Sequence, residues 1–197
     1  MSFLLGLTGS IGMGKSTTAS IFADHGCDIW NADAAVHRLY AQDGAAVAPL
    51  RQLFPDAIQS DAVDRAALRH IIAADPTALP RIEAIVHPLV RENREYFKQM
   101  SKADVLVFDI PLLFETGAEV EMNAVACVFI DAKEQRRRVL ARGTMTAVQF
   151  EQILAKQMPI ADKLARADYK IETDTKDHAA QQVRAILTEI REGQNHA

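Results

Sequence analysis

The chain is poor in cysteine and in aromatic residues, carries no excess of positive charge and contains no long apolar run. Each shortage removes a class of protein. Two cysteines in 197 residues, Cys27 and Cys127, with no C-x-x-C pair and no metal-ligand spacing, exclude a disulfide framework and a structural zinc site. Both lie beside apolar, strand-like segments and are expected as reduced, buried thiols of a cytoplasmic protein. A formal charge of −4 argues against a general polyanion-binding surface, so no nucleic-acid partner is expected. No apolar run approaches the roughly 20 residues of a membrane span. The first residues enter a strand-like segment without a basic leader or cleavage site, so no membrane partner is expected either. What remains is an ordinary globular composition, 49% hydrophobic and 24% charged, long enough for one domain with small insertions.

The most informative stretch is Gly9-Ser10-Ile11-Gly12-Met13-Gly14-Lys15-Ser16, a complete G-x-x-x-x-G-K-S phosphate loop. The apolar run Phe3-Leu4-Leu5-Gly6-Leu7 precedes it and a helical pattern follows through Ala23, which is the strand-then-helix context the motif requires. The glycines allow sharp turns and bring backbone N–H groups close to phosphate oxygens. Gly12, Met13, Gly14, Lys15, Ser16 and Thr17 are therefore the expected nucleotide-binding residues. Lys15 supplies a mobile charge for the β- and γ-phosphates and Ser16 a hydroxyl for Mg²⁺, while the helix directs its positive end at the anion.

The chain then alternates strands and helices. Cys27–Trp30 reads as a second strand, and Asn31-Ala32-Asp33 opens a helix after it. An acid there is commonly a helix cap. At the carboxyl end of a strand parallel to the first, however, it would lie where open α/β sheets bind ligands, so Asp33 is a candidate general base. Residues 44–100 show helical spacing over 45–54, 64–74 and 78–100, with little that looks like sheet and with Pro55, Pro76, Pro80 and Pro88 at boundaries or first turns. Arg65, His87 and Arg91 in this helical insertion are candidate substrate contacts, although a solvated charged face is the commoner explanation for any one of them and a packed or capping role accounts for His87 as well as a ligand contact does. The third strand, 104–109, ends in Asp109 with the pattern of a Walker B strand, whose carboxylate organises Mg²⁺. A fourth strand spans 124–131. The helical stretch after it carries Arg138 and Arg142, four apart and so expected on one face. Two guanidinium groups placed over the phosphates would stabilise a transferring phosphoryl group, and residues 132–160 are read as a lid on that ground. A last strand at 169–171 and a helix from about Lys176 to Arg191 complete the chain.

These residues together resemble the dephospho-coenzyme A kinase family over nearly the whole chain. The likeness rests on Gly6 through Thr17 and on Asp33, which matches the second acid of the family's Asp-Ala-Asp turn. It rests also on Asp64-Arg65 with Leu68, on Leu79 and Ile82 through Pro88, on Asp109-Ile110-Pro111-Leu112-Leu113-Phe114-Glu115, and on Arg138, Arg142, Gln157, Lys163 and Ala167-Asp168. Asn31, Gly143 and Thr173 depart from the pattern, and Thr173 leaves any adenine contact there open. The resemblance implies the P-loop NTPase fold: a three-layer α/β architecture with a five-stranded parallel sheet, a helical substrate-binding insertion and a helical lid. The implied domains are a nucleotide-binding core of residues 1–31, 101–131 and 161–197, a substrate domain at 32–100 and a lid at 132–160. The implied activity is transfer of the γ-phosphoryl of ATP to the ribose 3′-hydroxyl of dephospho-CoA, the last step of coenzyme A synthesis. The catalytic set would be Asp33, Lys15, Arg138 and Arg142, the acceptor contacts Asp33, Arg65, His87 and Leu112, and the Mg²⁺ ligands Ser16 and Asp109. Small-molecule partners only, and a monomer or weak oligomer, are expected. Another small-molecule P-loop kinase, acting on a nucleoside, a nucleotide or a shikimate-like acceptor, is the competing reading. A GTPase-type switch is disfavoured because Asp109 is followed by Ile-Pro-Leu and no N-K-x-D motif is present.

Overall fold

The structure, a computed structural model, describes residues 2–195. In chain order its elements are β1 (Phe3–Gly9), α1 (Lys15–Asp24), β2 (Asp28–Asn31), α2 (Ala32–Tyr40), α3 (Val47–Leu53), β3 (Ile58–Gln59), β4 (Ala62–Val63), α4 (Arg65–Ala74) and α5 (Ala78–Met100). They continue with β5 (Val105–Asp109), β6 (Ala124–Phe129), α6 (Ala132–Ala141), α7 (Ala147–Leu154), α8 (Ile160–Arg166), β7 (Tyr169–Glu172) and α9 (Lys176–Asn195). The chain divides into two compact units, residues 1–30 with 101–197, and residues 31–100. Positions 1, 196 and 197, which end the expected core segments, lie outside the described residues.

The first unit is built on a five-stranded sheet in the order β2–β5–β1–β6–β7. β1 runs parallel to both β5 and β6, and β6 runs parallel to β7. Central strands of such a sheet are covered on both faces, which explains why β1, β5 and β6 read as continuous apolar runs without alternation. Leu5, Leu7, Val105, Val107, Ala126 and Val128 are buried with Ile21 and Phe22 of α1. α9 adds Val183, Ile186, Leu187 and Ile190, whose spacing of three, one and three puts them on one helical stripe. The register decides the site. Leu7 lies opposite Asp109 and Gly9 opposite Val128, so the Asp109 carboxylate ends its strand level with a point two residues before the phosphate loop begins. β6 stops at Phe129, short of the expected 131, because Asp131 turns out of the sheet to cap α6 by accepting from the Glu134 amide at 3.0 Å.

The second unit is helical and packs Leu39, Val47, Leu50, Phe54, Leu68, Ile82 and Val86 into a separate core. Two details differ from the sequence expectation. A short antiparallel ladder pairs Ile58 with Val63 and Gln59 with Ala62. Its two-residue turn, Ser60-Asp61, has positive φ at both positions, the conformation a tight hairpin needs but one that glycine or asparagine usually signals. Pro88 is not a boundary either: α5 runs through it. A proline inside a helix forfeits one backbone hydrogen bond, and Ile82, Ile85, Val86, Leu89 and Val90 hold both flanking turns by packing into the same core.

Candidate active site

The phosphate loop joins the end of β1 to the start of α1. Gly12 and Gly14 adopt φ of +79° and +85°, a region that other residues enter at a cost. At Gly12 space is also limiting, since a Cβ would lie 2.3 Å from Val139 Cγ2. Gly14 is the cap residue of α1 and offers no side chain, so the first-turn amides of Lys15, Ser16 and Thr17 are left for an anion. Ser16 and Thr17 are exposed there. Lys15 Nζ pairs with the Asp109 carboxylate. Asp109 is only 1% exposed, and this ion pair joins two residues that sequence reasoning assigned to one site from 94 positions apart.

The loop is braced from behind by groups that the sequence did not single out for that purpose. The Ile11 amide donates to Gln157 Oε1 at 3.1 Å, and the Ile11 carbonyl accepts from Gln135 Nε2 at 2.7 Å. The two peptide groups that flank Ile11 are thus held by glutamines from the two ends of the 132–160 segment. Thr173, 7% exposed, donates its hydroxyl to the Met13 carbonyl at 2.9 Å. Its β-carbon and oxygen also lie against Gly14, so this residue, one of three that depart from the family pattern, packs under the phosphate loop.

Arg138 reaches the same place. Its Nη2 donates to the carbonyls of Thr173 at 2.9 Å and Asp174 at 3.2 Å, and its Nε to Glu134 at 2.8 Å. Hydrogen bonds from Arg137 and Arg138 hold the Glu134 carboxyl down to about 2. Arg142 differs: α6 ends at Ala141, leaving Arg142 as the exposed C-cap. Among the described residues its guanidinium has no hydrogen-bond or ion-pair partner.

After β5 the chain continues through Pro111 and Leu112, whose side chain is exposed. The Pro111 carbonyl accepts from Thr8 Oγ1 and from Lys163 Nζ, each at 3.1 Å. Lys163 is fully buried and also pairs with Glu115 at 2.8 Å. Burial opposes ionisation of Glu115, but hydrogen bonds from Lys163 and the Met158 amide outweigh it and keep the carboxyl below its ordinary 4.5.

In the helical unit, Asn31 caps α2 by accepting from the Ala34 amide at 2.7 Å. Asp33 is therefore not the cap; it lies in the first turn, exposed. Arg65 begins α4, which Asp64 caps, and its guanidinium stacks over the Tyr40 ring at 5.6 Å. His87 is exposed on α5 beside Pro88.

Hard oxygen donors, the Ser16 hydroxyl and the Asp109 carboxylate, suit Mg²⁺, which binds few protein ligands and completes its shell with phosphate and water. Among the described residues no group of three His, Cys, Asp or Glu side chains forms a dedicated metal cage, and no helix is long and apolar enough to cross a membrane.

Comparison with known proteins places this geometry. A family model described as dephospho-CoA kinase matches residues 3–179. The dephospho-CoA kinases of Ruegeria pomeroyi and Cereibacter sphaeroides are 66% and 57% identical, covering 100% and 96% of this chain and the same shares of their own. Among solved structures, TT1252 from Thermus thermophilus superposes with a TM-score of 0.86 at 31% identity, over 95% of this chain and 97% of that one. The Campylobacter jejuni dephospho-CoA kinase shares the fold with a TM-score of 0.72 at 24% identity, over 98% and 100% of the two chains. With the match running from β1 into α9, through the phosphate loop and the Asp109–Glu115 segment, this chain belongs to the dephospho-CoA kinase family.

Proposed function

We propose that the protein transfers the γ-phosphoryl group of ATP to the ribose 3′-hydroxyl of dephospho-CoA, releasing CoA and ADP. The observation that carries the reading is the meeting of Lys15 with the buried Asp109 at the mouth of a phosphate loop, in a chain of this family. The loop amides and Lys15 hold the β- and γ-phosphates. Lys15 exchanges its present partner, Asp109, for phosphate oxygens when nucleotide enters, which frees the carboxylate. Ser16 and Asp109 would then hold Mg²⁺, whose charge neutralises the phosphates during transfer. Asp33 orients the 3′-hydroxyl and accepts its proton as the oxygen attacks phosphorus in line with the departing ADP oxygen. Arg142, with no competing partner among the described residues, is the guanidinium best able to close on the transferring group. Arg138, engaged with Thr173 and Asp174, contributes after exchanging those carbonyls or by holding the last strand's exit in place.

The remaining assignments belong to the same reading. Residues 32–100 form the acceptor domain, in which Arg65, His87 and, from the core, Leu112 contact dephospho-CoA; residues 132–160 form the lid. The buried free thiols support a cytoplasmic enzyme and the charge of −4 supports small-molecule partners without nucleic acid; the same reading takes it as a monomer or weak oligomer.

The test is incubation with MgATP and dephospho-CoA, followed by phosphorus NMR of the product. A new 3′-phosphomonoester is expected, and ADP release with a nucleoside monophosphate but none with dephospho-CoA would sink the assignment. Asp33→Asn is expected to lower kcat by about 10²–10⁴-fold with little change in the KM for ATP; near-normal turnover would show that another group takes the proton.

A further inference from the structure

Lys163 is the one cation among the described residues with no solvent exposure at all. An ammonium group in that position carries a large desolvation cost, and buried ion pairs can usually be replaced by apolar side chains without loss of stability. Stability alone therefore gives a poor account of it. Its contacts give a better one. Nζ donates to the Pro111 carbonyl at 3.1 Å and to Glu115 Oε1 at 2.8 Å, so one point charge holds both ends of a five-residue turn. That turn starts two residues after Asp109.

From the turn, the bonding runs to the phosphate loop along two routes. The Pro111 carbonyl also accepts from Thr8 Oγ1 at 3.1 Å, and Thr8, itself fully buried, immediately precedes Gly9. Glu115 Oε1 accepts from the Met158 amide at 2.8 Å; the neighbouring residue, Gln157, accepts from the Ile11 amide within the loop at 3.1 Å. A circuit of hydrogen bonds, closed by the short backbone links Gln157–Met158 and Thr8–Ile11, thus joins Thr8, Pro111, Lys163, Glu115, Met158, Gln157 and Ile11.

We propose that Lys163 is a positioning residue for phosphoryl transfer: by tying Pro111 and Glu115 together it sets the Asp109–Glu115 turn and, through Met158 and Gln157, the phosphate-loop peptide at Ile11. Lys163 is too deeply enclosed to touch a substrate and acts only through these partners. Lysine suits the position because a single ammonium offers three donors from one atom, enough for a carbonyl and a carboxylate on converging lines. The catalytic consequence rests on the kinase reading above; the positioning of Met158 and Ile11 does not.

The experiment compares the full-length wild-type chain with K163M and E115Q. Methionine keeps the length and apolar stem of lysine without its donors. Hydrogen exchange at the Met158 and Ile11 amides is expected to accelerate at least about tenfold in K163M, with Leu5 and Leu7 of β1 unchanged. Turnover with MgATP and dephospho-CoA should fall at least about thirtyfold in kcat while the KM for MgATP moves less than about threefold, since misplacement of reacting groups is felt mainly in the chemical step. A folded K163M with kcat within threefold of wild type, or exchange that accelerates uniformly across β1 as well, would overturn the proposal. If K163M does not fold, E115Q takes its place, keeping the side-chain shape and removing the charge. Faster exchange at Met158 and Ile11 then supports the circuit and unchanged exchange overturns it. Should the wild-type chain fail to phosphorylate dephospho-CoA, the kinase reading falls, and the exchange rates still decide the role of Lys163.

Discussion

Replacing Thr173 with valine tests how the last strand supports the phosphate loop. The two side chains have nearly the same shape, so the change deletes one hydroxyl from a site that is 7% exposed. The loss falls unevenly on its partners. Phe129's carbonyl keeps the Thr173 amide at 3.0 Å but loses its longer contact with the hydroxyl at 3.3 Å, and Arg138 keeps the Thr173 carbonyl at 2.9 Å while its Nη1 loses the hydroxyl it donates to at 3.3 Å. The Met13 carbonyl loses the hydroxyl that donates to it at 2.9 Å, and an apolar methyl now faces it. A lost hydrogen bond and a desolvated carbonyl together cost about 1.5–3 kcal/mol. For a chain of this size that corresponds to a fall in Tm of about 4–9 °C. Trp30, the single tryptophan, is buried in the same unit with its ring 6.0 Å from that of Phe108, so its fluorescence during urea unfolding reports on this unit. T173S keeps the hydroxyl and should cost only about 1 kcal/mol for the missing methyl. ADP should bind T173V about fivefold more weakly, because the Met13 peptide belongs to the loop. If T173V unfolds within about 0.5 kcal/mol of T173S and binds ADP as wild type does, the hydroxyl does not brace the loop.

Two further outcomes follow from titratable groups. Glu115 is held below its ordinary 4.5 in the folded chain, so its ion pair contributes stability above that pH and loses it as the pH falls through the folded value. Unfolding free energy should therefore decline more steeply below about pH 4.5 in wild type than in E115Q; parallel curves would refute the contribution. Burial pushes both cysteine thiols up to about 11, so at pH 8 only on the order of one in a thousand is thiolate. Ellman's reagent should label neither Cys27 nor Cys127 quickly in the native chain and both after unfolding, and rapid native labelling would contradict their burial.

Local chemistry made much of the site legible. The spacing from Gly9 to Ser16 marks a glycine-rich phosphate loop that leads into a helix, and a strand-length apolar run ending in Asp109 marks a carboxylate at a strand end. The opposite case is Lys163. In Ile160-Ala161-Asp162-Lys163-Leu164-Ala165-Arg166 it has the look of a solvated surface lysine, and the resemblance alone drew notice to it. Its burial arises because α8 packs beside Pro111 and Glu115, about 50 positions earlier, and no local pattern encodes that encounter. Gln135 and Thr173 are similar: an amide and a hydroxyl carry no periodic signal of their own, and their partners at Ile11 and Met13 lie more than a hundred residues away. The Ser60-Asp61 turn escaped notice for another reason, since it adopts positive φ without the residues that ordinarily announce it.

By itself, then, the sequence determined that this protein carries a phosphate loop, which residues build that loop, and which family its motifs match. These are properties of short segments, where backbone freedom and side-chain type settle the outcome within a few residues. Tertiary structure decided the rest: the register that sets Leu7 against Asp109, the pairing of that carboxylate with Lys15, and the enclosure of Lys163 within a circuit that returns to the loop. Those depend on which distant segments pack together, because a buried charge or carbonyl can exist only where another part of the chain supplies its partner.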